Sequence, residues 1–103
     1  MDREFFTGFI KIHILYHASR EEICGVEIMR ELERHGYKVS PGTLYPTLHR
    51  LEGLGYLKRK ERVSAGRRRK YYRTTAKGMR ALKTSRDRIK ELVDEVMEDK
   101  CFS

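Results

Sequence analysis

The 103-residue chain contains no asparagine, no glutamine and no tryptophan. The missing amides limit any recognition chemistry. Adenine is normally read by a bidentate Asn or Gln. Contact with bases therefore falls to Arg, Lys, Ser, Thr and Tyr, to apolar groups, or to DNA shape. Many Lys, Arg and Glu without either amide is also the composition of a heat-adapted protein. Cysteine is scarce. Cys24 and Cys101 stand far apart in no metal-binding pattern, which points to reduced thiols in a cytosolic protein. Cys24 reads as a small buried apolar residue and Cys101 as part of a frayed tail. Long apolar runs are absent too. The longest, Phe9 to Tyr16, is interrupted by Lys11 and His13 and is far too short to span a bilayer. The opening Met1-Asp2-Arg3-Glu4 lacks the apolar stretch of a signal peptide. A cytoplasmic protein with no membrane partner is expected.

What is present is charge, in one place. Lys58, Arg59, Lys60, Arg62, Arg67, Arg68, Arg69, Lys70 and Arg73 lie in a single short stretch with Glu61 as the only acid, a net 9 − 1 = +8. The whole chain is also +8, from 23 basic and 15 acidic residues, so everything outside the stretch sums to zero. This is a localised electrostatic footprint. Edge protection of a sheet does not need nine cations against one acid. Such density repels itself unless a polyanion neutralises it, so nucleic-acid contact is the expected use. Hydrophobic content of 39% is enough for a core. One small domain of this length is only marginally stable alone, and a partner subunit would help.

The pattern along the chain predicts mostly helix. Phe5 to Ala18 carries Phe6, Phe9, Ile10, His13, Ile14 and His17 on one helical face. Ser19 to Cys24 reads as a connection. Gly25 can cap a second helix running to about His35, with Ile28, Met29 and Leu32 inward and Gly36 ending it. The third helix has the clearest start: Ser40 as N-cap, Pro41 as first residue, and Val39 with Leu44 at the positions of a hydrophobic staple. Its Leu44, Leu48 and Leu51 face inward, Gly42, Thr43, Pro46, His49 and Arg50 outward, and Gly53 and Gly55 mark its exit. Tyr56 to Val63 and Arg67 to Thr74 then read as a hairpin about Ser64-Ala65-Gly66. Thr75 is the expected N-cap of a last helix. Its Leu82, Ile89 and Val96 recur by sevens, and with Leu92 and Val93 they form a coiled-coil-like dimerisation stripe interrupted by Arg86.

The candidate DNA-binding residues follow from this layout. On the third helix, Gly42 allows close approach of a phosphate, Thr43 and Tyr45 can hydrogen-bond phosphate or a base edge, and Arg50 is the long cation. Taken alone, this helix is equally well read as amphipathic with a solvated side. The basic hairpin that follows tips the reading, with Lys60, Arg62, Arg67, Arg68, Arg69 and Lys70 gripping the backbone or reaching into the minor groove. His13 and His17, four apart, have no third ligand placed by sequence and no Glu between them as in a zinc protease helix. They read as histidines at the edge of the core, so no metal or cofactor is expected. No nucleophile–base pairing or phosphate-cradling glycine loop supports an enzyme.

The segment Ser40-Pro41-Gly42-Thr43-Leu44-Tyr45-Pro46-Thr47-Leu48-His49-Arg50-Leu51-Glu52, then Gly55-Tyr56-Leu57, Gly66-Arg67-Arg68-Arg69-Lys70-Tyr71-Tyr72 and Thr75-Ala76-Lys77-Gly78, resembles the PadR family of transcriptional regulators. The resemblance implies a winged helix-turn-helix with a C-terminal dimerisation helix, in members that are mostly dimeric repressors of operator DNA. It puts the winged-helix domain at residues 1–75 and the dimerisation helix with a short tail at 76–103. Two positions depart from the family pattern. Gly25-Val26 stands where Gly-Tyr is frequent, and Thr74 where an aliphatic residue is usual. Some relatives bind flat aromatic effectors near the dimer interface. Without tryptophan that pocket is not carried over, and any effector has no identity. The expectation is a mainly α protein with a two-stranded β wing, a homodimer binding duplex DNA. The alternative is an RNA-binding or protein-interaction module using the same wing surface.

Overall fold

Apolar side chains at helical spacing gather four helices around the base of a small sheet. The computed structural model describes residues 3–98. Its elements run α1 (Arg3–Arg20), β1 (Ile23–Cys24), α2 (Gly25–Arg34), α3 (Pro41–Gly53), β2 (Leu57–Ser64), β3 (Arg67–Thr74) and α4 (Ala76–Glu98). One core joins Ile10, Ile14, Leu15 and Ala18 of α1, Ile28 and Leu32 of α2, Leu44, Leu48 and Leu51 of α3, and Leu57, Tyr72 and Leu82. The buried stripe of α1 is therefore rotated from the expected one. Leu15 and Ala18 lie inside, while Phe9 is 40% exposed.

The sheet has three antiparallel strands in the order β1-β3-β2, not the two expected. Ile23 and Cys24 pair with Tyr72 and Tyr71, while β2 pairs with β3 from Leu57↔Thr74 out to Ser64↔Arg67. Two residues of β1 are too few to show any period, so the strand hid inside a presumed connection. Because Ser64 is paired, the turn contracts to Ala65-Gly66, both with positive φ (51° and 76°). That is the two-residue turn whose twist matches a hairpin.

Two caps differ from expectation. Cys24, not Gly25, holds the N-cap position of α2. Ser40 stands at the N-cap of α3, but its hydroxyl reaches Thr43 Oγ1 (3.4 Å) instead of a backbone N–H. Its carbonyl still accepts the N–H groups of Thr43 and Leu44. The helix continues through Pro46, which faces solvent early in the helix. Cys24 is buried, as expected, whereas Cys101 lies outside the described residues.

The wing is stitched to its neighbours where α3 ends and α4 begins. Gly55, at φ 82°, turns the chain so that its N–H bonds Glu52 O and the N–H of Tyr56 bonds Leu51 O. Thr75 donates its hydroxyl to Gly55 O (2.5 Å) and accepts the N–H of Gly78 (3.0 Å), which makes it the N-cap of α4. Its own N–H bonds Tyr56 O (3.0 Å), and Lys77 Nζ donates to Leu54 O (2.9 Å). Thr74 is buried and donates its hydroxyl to Leu15 O (2.8 Å), so the usual aliphatic is replaced by a satisfied hydrogen bond to α1.

Leu82 was expected on a dimer stripe, but it is 6% exposed in the single chain and belongs to that chain's own core. Past it α4 is covered only in part, by the first turns of α1, with Leu92, Val93 and Val96 about half exposed. The chain measures 60 × 29 × 20 Å as a result.

A Cβ at Gly78 would land on the Tyr56 carbonyl oxygen and within 2.6 Å of Thr74 Cγ2. Alanine gains about 1 kcal/mol over glycine in a helix. Backbone is the obstacle here, and overpacking of this kind costs about 1–3 kcal/mol. Gly78→Ala is expected to lower stability, seen as a reduced urea midpoint. A raised midpoint would show that α4 shifts freely against the wing.

Candidate nucleic-acid interface

The outward face of α3 presents Gly42, Pro46, His49 and Arg50 to solvent, with Thr43 and Tyr45 half-buried. The face exists because Leu44, Leu48 and Leu51 consume the opposite side. Thr43 is held in a local network: Thr47 Oγ1 donates to Thr43 O (2.9 Å) while Ser40 Oγ donates to Thr43 Oγ1. Tyr45 leans back onto the start of α2. A Cβ at Gly25 would meet Tyr45 Oη at 2.5 Å and Cζ at 2.9 Å. Glycine at this position is therefore what lets the ring lie there.

Strand alternation sorts the wing cations onto two faces. Tyr72 and Thr74 point into the core, so Arg59, Arg68 and Lys70 share their side, together with the one acid, Glu61. Lys58, Lys60, Arg62, Arg67, Arg69 and Arg73 line the other side with no acid of the hairpin among them. The core-side face is partly neutralised. Arg59 lies 3.7 Å from Glu52 of α3, and Arg68 lies 3.8 Å from Glu61. On the far face Arg62 pairs with Glu22 and stacks over the half-buried Tyr71 ring at 5.2 Å. All three of these ion pairs are exposed or partly exposed, so each adds little stability and is open to exchange for a phosphate.

Of the four residues expected on α3, Tyr45 alone shares a cleft with the wing. Beyond the two residues of β1, the first half of β3 has a free edge, and it borders the N-terminus of α2. A cleft of about 400 Å³ opens there, lined by Cys24, Gly25, Val26 and Tyr45 on one side and Arg67, Arg68, Arg69 and Lys70 on the other. The first turn of α2 was missed in the sequence. Its signal was the juxtaposition of a glycine with a helix start, where unpaired N–H groups and the helix dipole favour an anion. Part of that capacity is already used: Cys24 donates its N–H to Glu27 Oε1 (3.0 Å). This bond, then one from the Cys24 side chain, holds the Glu27 carboxyl below the usual carboxylate range, with the nearby Arg30 and Arg69 charges assisting. Arg50 stands apart at the far end of α3, exposed and outside this cleft.

Three helices, a β-wing after the third, and a long final helix define a winged helix-turn-helix protein. Residues 14–84 match the profile of the Transcriptional regulator PadR-like family. The chain belongs to the PadR-like family of transcriptional regulators. It is 50% identical over 95 residues to the transcriptional regulator Rv3488 of Mycobacterium tuberculosis, covering 92% of this chain and 89% of that protein. Among solved structures it is similar to a PadR family transcriptional regulator from Eggerthella lenta, at 33% identity and a TM-score of 0.82, over 92% of this chain and 84% of that one. A PadR-like transcriptional regulator from Bacillus cereus is 32% identical with a TM-score of 0.76, over 91% and 96% of the two chains. No helix of the described residues is long and apolar enough to cross a membrane.

The Glu27 cap has a defined pH dependence. A carboxyl depressed in the folded state contributes stability above its unfolded pKa, and that contribution is lost as pH falls through the folded value. Glu27→Ala should therefore cost about 0.5–1 kcal/mol at neutral pH, the low end for a capping interaction because the carboxylate is exposed. The cost should vanish below the carboxylate range. Urea titrations of both proteins at the two pH values check this, and an equal difference at both would remove the cap from the account.

Proposed function

We propose that the chain is a sequence-specific, duplex-DNA-binding repressor that acts as a homodimer in the cytoplasm. The observation that carries this is the placing of the whole +8 charge excess on one hairpin, whose free edge shares a cleft with the start of α2 and Tyr45 of α3. In this reading the wing grips the backbone. Both of its faces are cationic, so a tip lying in a minor groove meets phosphates on either wall. Gly42, Thr43, Tyr45 and Arg50 face the major groove or its rim. With no Asn or Gln in the chain, Arg50 on guanine is the strongest direct base contact on offer. Repression is supported by the family resemblance, and similarity to the transcriptional regulator Rv3488 supports control of transcription. An RNA-binding reading is disfavoured by the tyrosines. Sequence-specific RNA binders stack bases on exposed rings, but Tyr72 is fully buried and Tyr71 lies under Arg62.

Dimerisation in this reading uses α4. Ile89, Leu92, Val93 and Val96 continue an apolar groove of about 330 Å³ between α1 and α4, floored by Phe5, Phe9 and Ile12. Leaving such surface in water costs about 25 cal/mol per Å². Val93→Asp with Val96→Asp should yield monomers that retain the helical circular-dichroism signal and bind DNA weakly. An intact dimer in sedimentation would remove α4 from the interface.

Each phosphate neutralised steepens log K against log salt by about 0.9. Changing Arg67, Arg68 and Arg69 together to Ala should flatten that slope by up to roughly 3 per subunit. Wild-type binding to duplex DNA should also resist competition by single-stranded RNA. An unchanged slope and affinity in the triple variant would end the assignment of the wing as the backbone clamp.

A further inference from the structure

Away from the interface, the structure adds a third histidine to the two that the sequence placed on α1. His13 and His17 lie one turn apart with nearly parallel rings, 12° between planes. His35 is the C-cap residue of α2. Its position is fixed by the turn that follows: Gly36 N–H bonds Glu33 O and Tyr37 N–H bonds Leu32 O, both 2.9 Å, a closed C-terminal motif. That cap stacks the His35 ring on His13, with centroids 4.5 Å apart. One ring nitrogen from each of the three lies within 4.8 Å of the others.

We propose that His13, His17 and His35 form a site for a divalent transition metal of the zinc class. Three imidazoles leaving one position for water or a carboxylate is a common zinc arrangement, and imidazole also suits cobalt, nickel and copper. Zn–N bonds of about 2.0–2.1 Å in a tetrahedron put ligand atoms roughly 3.3 Å apart, so small ring rotations close the present spacing. A second observation points to a ligand at this place. His17 Nε2 is buried without a hydrogen-bond partner, a state that native structures rarely leave uncompensated. Glu31 Oε2 stands 3.8 Å from that nitrogen, beyond hydrogen-bond reach yet close enough to turn toward a bound ion. Arg34 steadies the same carboxylate at 2.9 Å. Burial first, and then the neighbouring imidazoles, push His13 below the ordinary histidine value. Burial likewise lowers His17, against the raising effect of Glu31. Neutral rings keep the lone pairs a metal requires. The ion would tie α1 to the end of α2, just before the loop that leads into α3.

The test uses the tag-free chain carrying Cys101→Ser, so that this second thiol supplies no ligand. Isothermal titration with Zn²⁺, and absorption spectra with Co²⁺, should show one ion per chain and a melting temperature that rises with metal concentration. His35 is exposed and caps through its backbone, so His35→Ala should leave the metal-free melting temperature unchanged. It should weaken Zn²⁺ binding by more than about tenfold, the least expected for losing a direct ligand. His17→Gln should weaken binding to a similar extent. No saturable binding by the parent chain, or full stoichiometric binding retained by both variants, would overturn the proposal.

Discussion

Four hydrogen bonds at the foot of the wing set the geometry of everything else. Thr75 bonds Gly55 O, Tyr56 O and the N–H of Gly78, and Lys77 reaches Leu54 O. They join the end of α3, the start of β2 and the first turn of α4 in one knot. The wing is a poor candidate to fix itself. Most of its side chains are exposed, and its like charges repel. What orders it is its base, where Leu57, Tyr72 and Thr74 are buried, and this knot beside them. Because three of its acceptors are the consecutive backbone carbonyls of Leu54, Gly55 and Tyr56, the knot anchors the wing at its foot.

The direction of α4 follows from the same knot. Gly78 lies against the Tyr56 carbonyl, so the helix leaves close to the sheet and buries Leu82. Beyond that point no further element of the described residues covers it except the first turns of α1. The apolar residues of its second half are then surplus to the monomer. A chain of this size has little stability to spare, and such surface is characteristic of an interface between subunits. The charge thus sits on the wing and the apolar surplus on the second half of α4.

Much of this architecture was legible in the sequence because it rests on short-range signals. The start of α3 at Ser40-Pro41, the inward Leu44, Leu48 and Leu51, and the hairpin about Gly66 depend on neighbours within a turn or two. What was misread depended on contacts across the chain. β1 is a strand only because β3 lies beside it. Leu82 was assigned to a seam by its seven-residue spacing, which cannot say which chain covers it. Ser40 occupies its expected place, but its hydroxyl bonds the Thr43 hydroxyl instead of a backbone N–H.

The sequence by itself determined the four helices and the hairpin, the family and the position of the charge, since periodicity, caps and charge runs are local properties. Only the tertiary structure decided which surfaces those residues share. Tyr45 and Arg67–Lys70 stand far apart in sequence, and a cleft completed by Gly25 brings them together. His35 joins His13 and His17 because the cap of α2 ends over α1. Pairing register and helix crossing are collective outcomes of core packing, and a linear pattern of residues carries no direct measure of either.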